Sequence, residues 1–402
     1  MVTSACNSFY KEEGTQEVFF KGSYGYDHNF LKKNGLTVVE LFSEDSSRSV
    51  MLVPDWQGRV MTSSSAGLKG RSYGWINYDL ISSKKQDDQF NPYGGEERFW
   101  LGPEGGPFSL YFQEGDEQLY PNWKVPGFID TEPFKIQSSE KEAVVFTGNT
   151  TLYNAAGNPL DIEVLRKVKL LGEKEIAAEL NMSLPKGLEY VAYQSENVIK
   201  NSGKNEWTAD YGFVSIWMLC MFNPSPSGIV VIPVNTENLE RKEILTDDYF
   251  GIVAEDRLKL KDGIVYFRVD GKKRSKIGIS PVAARSIAAG YDPVNQKLTV
   301  VTYSGPKPLK PYVNSAWGEQ EDPLKGDVIN AYNDGPVDGK VMGPFYEIET
   351  SSPAALLKPG EETSHKQSVY HFSGSESTLK EIGLKLFELD ITEISNVFDE
   401  ER

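Results

Sequence analysis

The amino-acid sequence predicts an all-β protein, a large antiparallel β-sandwich with few short helices. Three observations lead there. Short runs rich in Val, Ile, Leu, Phe and Tyr recur along the chain, as strands do. Gly, Pro, Asn or Asp punctuate them at spacings that suit hairpins, as at Asp270-Gly271. Convincing helical spacing is confined to the C-terminal end, where Leu379, Ile382 and Leu386 follow a capping Ser375.

The 402 residues are 39% hydrophobic and 25% charged, enough apolar material for a sizeable core. Residues 1–15 are expected to form a flexible N-terminal segment and 16–402 a single sandwich domain. A net charge of −16 argues against nucleic acid and acidic membrane surfaces as partners, because phosphate binding needs a basic footprint. No apolar stretch is long enough to span a bilayer. With Cys6 and Cys220 as the only cysteines, a disulfide framework and a cysteine-based metal site are excluded by count. Cys220, in an apolar run, reads as a small core residue. No metal or other cofactor is expected, since ligand spacing, phosphate loop and nucleophile elbow are all missing from the sequence.

Alternating text over residues 17–60 ends in a turn, Asp55-Trp56-Gln57-Gly58, with no helical period before it. Residues 91–112 are dense in polar and aromatic side chains. Gly94-Gly95 and Gly105-Gly106 bracket Glu96, Glu97, Arg98, Trp100 and Glu104, and such glycines allow tight turns or close ligand approach. Charged groups beside aromatic rings suit a sugar, whose ring faces stack while its hydroxyls hydrogen-bond. The same arginine and acids would equally serve to tie a loop down. Asn122-Trp123 can form a rim. Runs at 143–146, 162–171 and 175–184 read as a meander, with a turn at Leu171-Gly172-Glu173-Lys174. Residues 211–234 read as buried strands interrupted at Asn223-Pro224-Ser225-Pro226. Trp317 lies in a polar loop and can be a stacking platform or a core plug. A short strand or frayed tail is expected beyond Leu389.

The chemistry-bearing stretch is Gly343–Glu362. Tyr346 and Ile348 alternate with Glu347 and Glu349, which places both carboxylates on one strand face. A turn at Lys358-Pro359-Gly360-Glu361 leads into a strand over Thr363–Phe372. Glu-Ile-Glu-Thr-Ser-Ser-Pro-Ala, then Leu-Lys-Pro-Gly-Glu, then a strand ending in Tyr-His-Phe, resembles the C-terminal signature of the galactose mutarotase (aldose 1-epimerase) superfamily, in a bacterial branch of it. The resemblance implies the mutarotase-type sandwich and sugar handling, and it gives Glu349 the place of the catalytic base. Arg98 is the one arginine that carries over from the family's Gly-Arg-x-x-Asn-Arg segment. Aligning the family's Asn-His-x-Tyr-Phe-Asn segment on Asn201 puts Asn197 where the acid histidine belongs. An amide holds a hydroxyl but does not transfer a proton near neutral pH.

Two function classes follow. One is a sugar-binding protein with Glu97, Arg98, Trp100, Glu104, Asn197, Trp317 and Glu349 as contacts. The other is an aldose 1-epimerase-like isomerase with Glu349 as general base and Glu97 or Arg98 assisting. The partner in either is a small sugar or glycan. His28 reads as a surface or turn residue, while His365 and His371 share a parity on the last strand. Thr3-Ser4-Ala5-Cys6 resembles a bacterial lipoprotein processing site. It gives an expectation of a lipid anchor at Cys6 and a periplasmic or outer-membrane-anchored protein, the alternative being cytoplasmic.

Overall fold

The structure, a computed structural model, describes residues 18–398. The flexible segment expected over 1–15 and the anchor expected at Cys6 lie outside the described residues. Helix α1 (Tyr24–Lys33) precedes β1 (Val39–Phe42), β2 (Ser49–Val53) and β3 (Arg59–Ser64). Helix α2 (Tyr78–Ser83), strand β4 (Arg98–Gly102) and the short α3 (Gly127–Asp130) follow. Next come β5 (Lys135–Ser139), β6 (Ala143–Tyr153), β7 (Pro159–Leu170), helix α4 (Glu173–Glu179) and β8 (Glu189–Asn201). Then β9 (Ser215–Phe222), β10 (Ile229–Pro233), α5 (Arg241–Ile244), β11 (Leu245–Thr246), β12 (Leu258–Lys261) and β13 (Ile264–Arg268) are laid down. The chain continues through β14 (Ser275–Ile279), β15 (Ile287–Asp292), β16 (Lys297–Tyr303), β17 (Ile329–Asn333), β18 (Tyr346–Ser351) and β19 (Glu362–Ser373). It closes with α6 (Glu376–Phe387) and α7 (Ile391–Asn396).

The strands form three sheets. A ten-stranded sheet runs β12-β13-β10-β15-β16-β19-β8-β7-β6-β5, and a six-stranded sheet runs β11-β14-β17-β18-β9-β4. A small β1-β2-β3 sheet stands beside them. Every pairing between these strands is antiparallel, as in β18 against β9 and β19 against β8. The all-β sandwich expected from the sequence is therefore the observed fold.

Period-two alternation divides the six-stranded sheet cleanly. Its inner face carries Phe99, Leu101, Ile216, Met218, Cys220, Ile348 and Ile277, all buried in the main core. The opposing inner face of the ten-stranded sheet supplies Val164, Val168, Tyr193, Ile199, Val301 and Val369. On the outer face of the ten-stranded sheet, α4, α6 and α7 cover a second apolar cluster that includes Ile176, Tyr370, Phe372, Leu379 and Ile394. Helix α6 thus packs where its period predicts, with Ser375 Oγ accepting from Thr378 N–H at 3.2 Å.

Four local expectations are corrected. Residues 24–33 are helical: Ser23 caps α1, and its buried residues include Tyr24, Asp27 and Leu31. An acid on the buried face hides the helical period. Asp27 is tolerated there because Ser72 Oγ and Tyr78 Oη both donate to it, while burial pushes its carboxyl up to about 6. Residues 175–184 do not form a strand. Glu173–Glu179 is the helix α4, in which Glu175 accepts from Gly172 N–H at 2.9 Å and Ile176 packs inward with Leu180 just beyond it. Asp270-Gly271 is no hairpin turn. It carries the chain from β13 in one sheet to β14 in the other, with Asp270 gripping Arg257 at 2.6 Å. The hairpin is β12–β13, through Asp262 and Gly263, both at positive φ. Beyond Leu389 the chain forms α7, capped by Asp390, whose side chain accepts from Thr392 N–H at 3.0 Å.

Candidate functional site

The outer face of the six-stranded sheet gathers the chemistry. Register places Arg98 opposite Leu219, Leu219 opposite Glu349 and Glu349 opposite Asn330. Beside that row, Trp100 pairs with Trp217, and Glu347 with Met221 and Tyr332, Tyr332 in turn with Lys276. An outer face would ordinarily meet water, but here Arg98, Trp100, Trp217 and Glu349 are all 5% exposed or less. Loops roof this face.

Glu349 Oε2 accepts from Trp217 Nε1 and from Lys276 Nζ, each at 2.9 Å. Its Oε1 is buried with no hydrogen-bond partner. Arg98 pairs with Glu347 and lays its guanidinium over the Trp100 ring at 4.9 Å, but Arg98 Nε and Trp100 Nε1 are also buried without partners. Lys276 Nζ lies 4.9 Å from the Trp217 ring centroid and 5.6 Å from that of Tyr249. Burial alone would lower the Lys276 ammonium, yet the carboxylates of Glu349 and Glu104 outweigh it and hold it above the usual lysine range. Glu347 is pushed up to about 7, chiefly by burial, against the opposing pull of Arg98.

Glu104 enters from the roof. Burial raises its carboxyl first and the Glu349 charge adds to the rise, while Lys276 and the nearby indoles of Trp317 and Trp123 pull the other way. The two roof loops are latched by Gln118, whose Oε1 accepts from Gly106 N–H and Gly318 N–H at 2.8 Å each. Gly105 is needed for their approach, since a Cβ there would stand 2.3 Å from the Ala316 carbonyl oxygen. Past Asn330, Tyr249 Oη donates to Asp327 at 2.7 Å and accepts from Asn330 Nδ2 at 3.2 Å. Burial holds the Asp327 carboxyl above the usual range.

Of the residues singled out in the sequence, Glu349, Arg98, Trp100, Glu104 and Trp317 come to this cleft. Glu97 and Asn197 do not. They lie between the sheets, both wholly buried, because Glu97 directly precedes Arg98 in extended chain and so points to the opposite face. There Arg166 bonds Glu97 and Asn197, each at 2.7 Å, and Ser195 and Gln367 donate to the other Glu97 oxygen at 3.1 and 2.8 Å. As substrate contacts on the face of Glu349 both residues are therefore misplaced. Asn197 also stands in β8 of the ten-stranded sheet, whereas the strand next to Glu349 on that side is β9.

The histidines are elsewhere too. His371 bonds Glu96 at 2.7 Å and Thr299 at 2.9 Å inside the sandwich. His365 bonds Thr350 at 2.8 Å, and burial drives its ring down to about 3. His28 lies in α1, 3.3 Å from Glu40. Sequence reasoning missed Trp217, Lys276, Tyr249 and Asp327. A signal existed for Trp217: Ser-Ile-Trp-Met-Leu-Cys-Met-Phe is apolar at both parities, so both faces of β9 must be covered. Among the described residues no group of three or more His, Cys, Asp or Glu side chains is placed to hold a metal ion. Nor is any described helix long and apolar enough to cross a membrane.

Residues 22–398 match the family of unknown function DUF6786. The chain belongs to that family. No curated protein matches the sequence. Among solved structures, Slr1438 from Synechocystis sp. PCC 6803 aligns with a TM-score of 0.52 at 14% identity, covering 84% of this chain and 96% of its own. A "putative aldose 1-epimerase" from Escherichia coli K12 aligns with a TM-score of 0.51 at 10% identity, covering 84% of this DUF6786 chain and 99% of its own. At such identities the likeness is one of fold. This member of DUF6786 has the galactose mutarotase-like sandwich that its C-terminal residues resemble.

Proposed function

We propose that the roofed face of the six-stranded sheet recognises a sugar. One observation carries this reading: Glu349 Oε1, Arg98 Nε and Trp100 Nε1 are all buried, unpartnered and set on one face among aromatic rings. Leaving a buried polar atom unmatched costs about 1–3 kcal/mol, so a face that gathers one acceptor and two donors is prepared for a ligand that can donate and accept. A pyranose does both with its hydroxyls and presents apolar C–H faces to indoles. The shared fold with a protein described as a "putative aldose 1-epimerase" agrees with this chemistry but does not choose the sugar.

A second reading, turnover, is favoured by Glu104. Glu349 would take the proton of the anomeric hydroxyl. Glu104, raised by burial, would hand a proton to the ring oxygen as the bond from that oxygen to the anomeric carbon breaks. Ring closure on the opposite face of the carbonyl would return both protons. The pairing of a base with a carboxyl whose hold on its proton is strengthened by burial follows the usual division of labour between carboxyl groups. The test is anomer interconversion of freshly dissolved galactose, glucose, xylose and rhamnose, followed by NMR with wild type, Glu349→Gln and Glu104→Gln. Acceleration by wild type that both variants lose establishes turnover. Perturbed sugar resonances without acceleration, abolished in Glu349→Gln, establish recognition alone. No effect of wild type on any of the sugars contradicts both readings.

A further inference from the structure

The cleft does not end at Glu104. Beyond it a run of near-parallel rings leads outwards across the roof. Trp317 stacks on Trp123 with centroids 6.0 Å apart and planes 26° apart, and Tyr120 stacks on Trp123 at 6.1 Å and 18°. The middle ring is buried, but Trp317 is 37% and Tyr120 64% exposed. These rings are held in place and do not dangle. Phe112 meets Trp317 edge-on at 5.2 Å, Gln118 clamps both loops, and Gln89 Nε2 donates to the carbonyls of Tyr120 and Trp123 at 2.8 and 3.1 Å. A second observation ties them to the cleft. Trp123, only 8% exposed, turns its indole to the Glu104 carboxyl, as Trp317 does, so the exposed rings are continuous with the inner cleft.

We propose that Trp317 and Tyr120 form an outer sugar subsite, so that a glycan of two or more linked units binds better than a free monosaccharide. This rests on the sugar-recognition reading of the Glu349 face. One unit sits at Glu349, Arg98 and Trp100. The next lies past Glu104, its apolar face against the exposed rings. Rigid exposed aromatics lose little conformational freedom on binding, which makes them effective platforms for a pyranose face.

The test is isothermal titration of the full chain with glucose, galactose and xylose, and with the β-1,4-linked di-, tri- and tetrasaccharides of each, plus the α-1,4-linked glucose series. Wild type is compared with Trp317→Ala, Tyr120→Ala and Glu349→Gln. The expected result is affinity about tenfold or more higher for one disaccharide than for its monosaccharide. Tyr120→Ala should erode that gain while leaving monosaccharide affinity unchanged, and Trp317→Ala, which also touches the inner cleft at Glu104, should lower disaccharide affinity more than monosaccharide affinity. Equal affinity for all chain lengths, with monosaccharide binding lost in Glu349→Gln, overturns the outer subsite and leaves the inner site intact. A chain-length gain that survives both aromatic substitutions also overturns the subsite. Binding of none of these sugars by wild type overturns the subsite together with the reading beneath it.

Discussion

Two charged clusters lie on opposite faces of the same sheet region, built from neighbouring residues, and they are finished differently. Inside the sandwich, Arg166 spends its guanidinium nitrogens on Glu97, Asn197 and the Gly58 carbonyl. Glu97 has both oxygens engaged, and Glu96 likewise accepts from Ser63 and meets His371. On the outer face, Arg98, Trp100 and Glu349 each keep a buried polar atom unmatched. Buried charges with complete partners hold a structure in one arrangement. Buried charges left incomplete await a partner from outside. Burial alone does not separate the clusters; completion of their charged groups does, for inside the sandwich the unpartnered atom is a neutral phenol, Tyr193 Oη.

The largest effect expected from this contrast is on stability. Glu97→Ala leaves the Arg166 charge buried and unpaired, which should cost about 3–5 kcal/mol. Urea denaturation measures it, and a loss below about 1 kcal/mol would mean that the interior network is not structural. Gly105→Ala should cost less, about 1–3 kcal/mol, because the Cβ meets the backbone of the Trp317 loop. That cost should come with weaker sugar binding, whereas Glu97→Ala molecules that remain folded should bind as wild type does.

Acid titration sharpens the comparison further, since one group in each region pulls in the opposite direction. His365 has its folded value depressed from 6.5 to about 3 by burial. Its contribution is full above 6.5 and is lost as pH falls towards 3, by at most about 1.4 kcal/mol per unit. Glu347 has its folded value raised from 4.5 to about 7. Its protonated form favours the fold, so its contribution is full below 4.5 and lost as pH rises through 7. Urea midpoints between pH 4.5 and 6.5 should therefore fall more steeply on acidification in Glu347→Gln and less steeply in His365→Gln than in wild type. Parallel curves for all three proteins would show that neither group is perturbed as described.

Much of this was legible along the chain, and what was not has physical causes. The strand Tyr346–Ser351, the Lys358–Glu361 turn and helix α6 announce themselves because each signal is local. Glu347 and Glu349 share a face by period alone. Asp270-Gly271 has turn chemistry, yet whether a turn closes a hairpin or passes between sheets depends on tertiary packing. Helix α1 is masked by Asp27, whose half-buried partners Ser72 and Tyr78 lie far along the chain. Lys276 and Trp217 reach Glu349 only through strand order, which no local pattern encodes. Glu97 and Arg98 were the resolvable case. Adjacent residues in extended chain face opposite ways, so both could not serve one cleft.

The most direct test of the account is sugar titration of wild type, Glu349→Gln and Glu97→Gln side by side, with folding verified for each by circular dichroism. The account predicts that Glu349→Gln weakens binding by roughly ten- to a hundredfold, the loss expected when a charged hydrogen-bond acceptor is neutralised, while folded Glu97→Gln binds as wild type does. Binding that survives in Glu349→Gln but disappears in Glu97→Gln would place the ligand between the sheets and contradict the account.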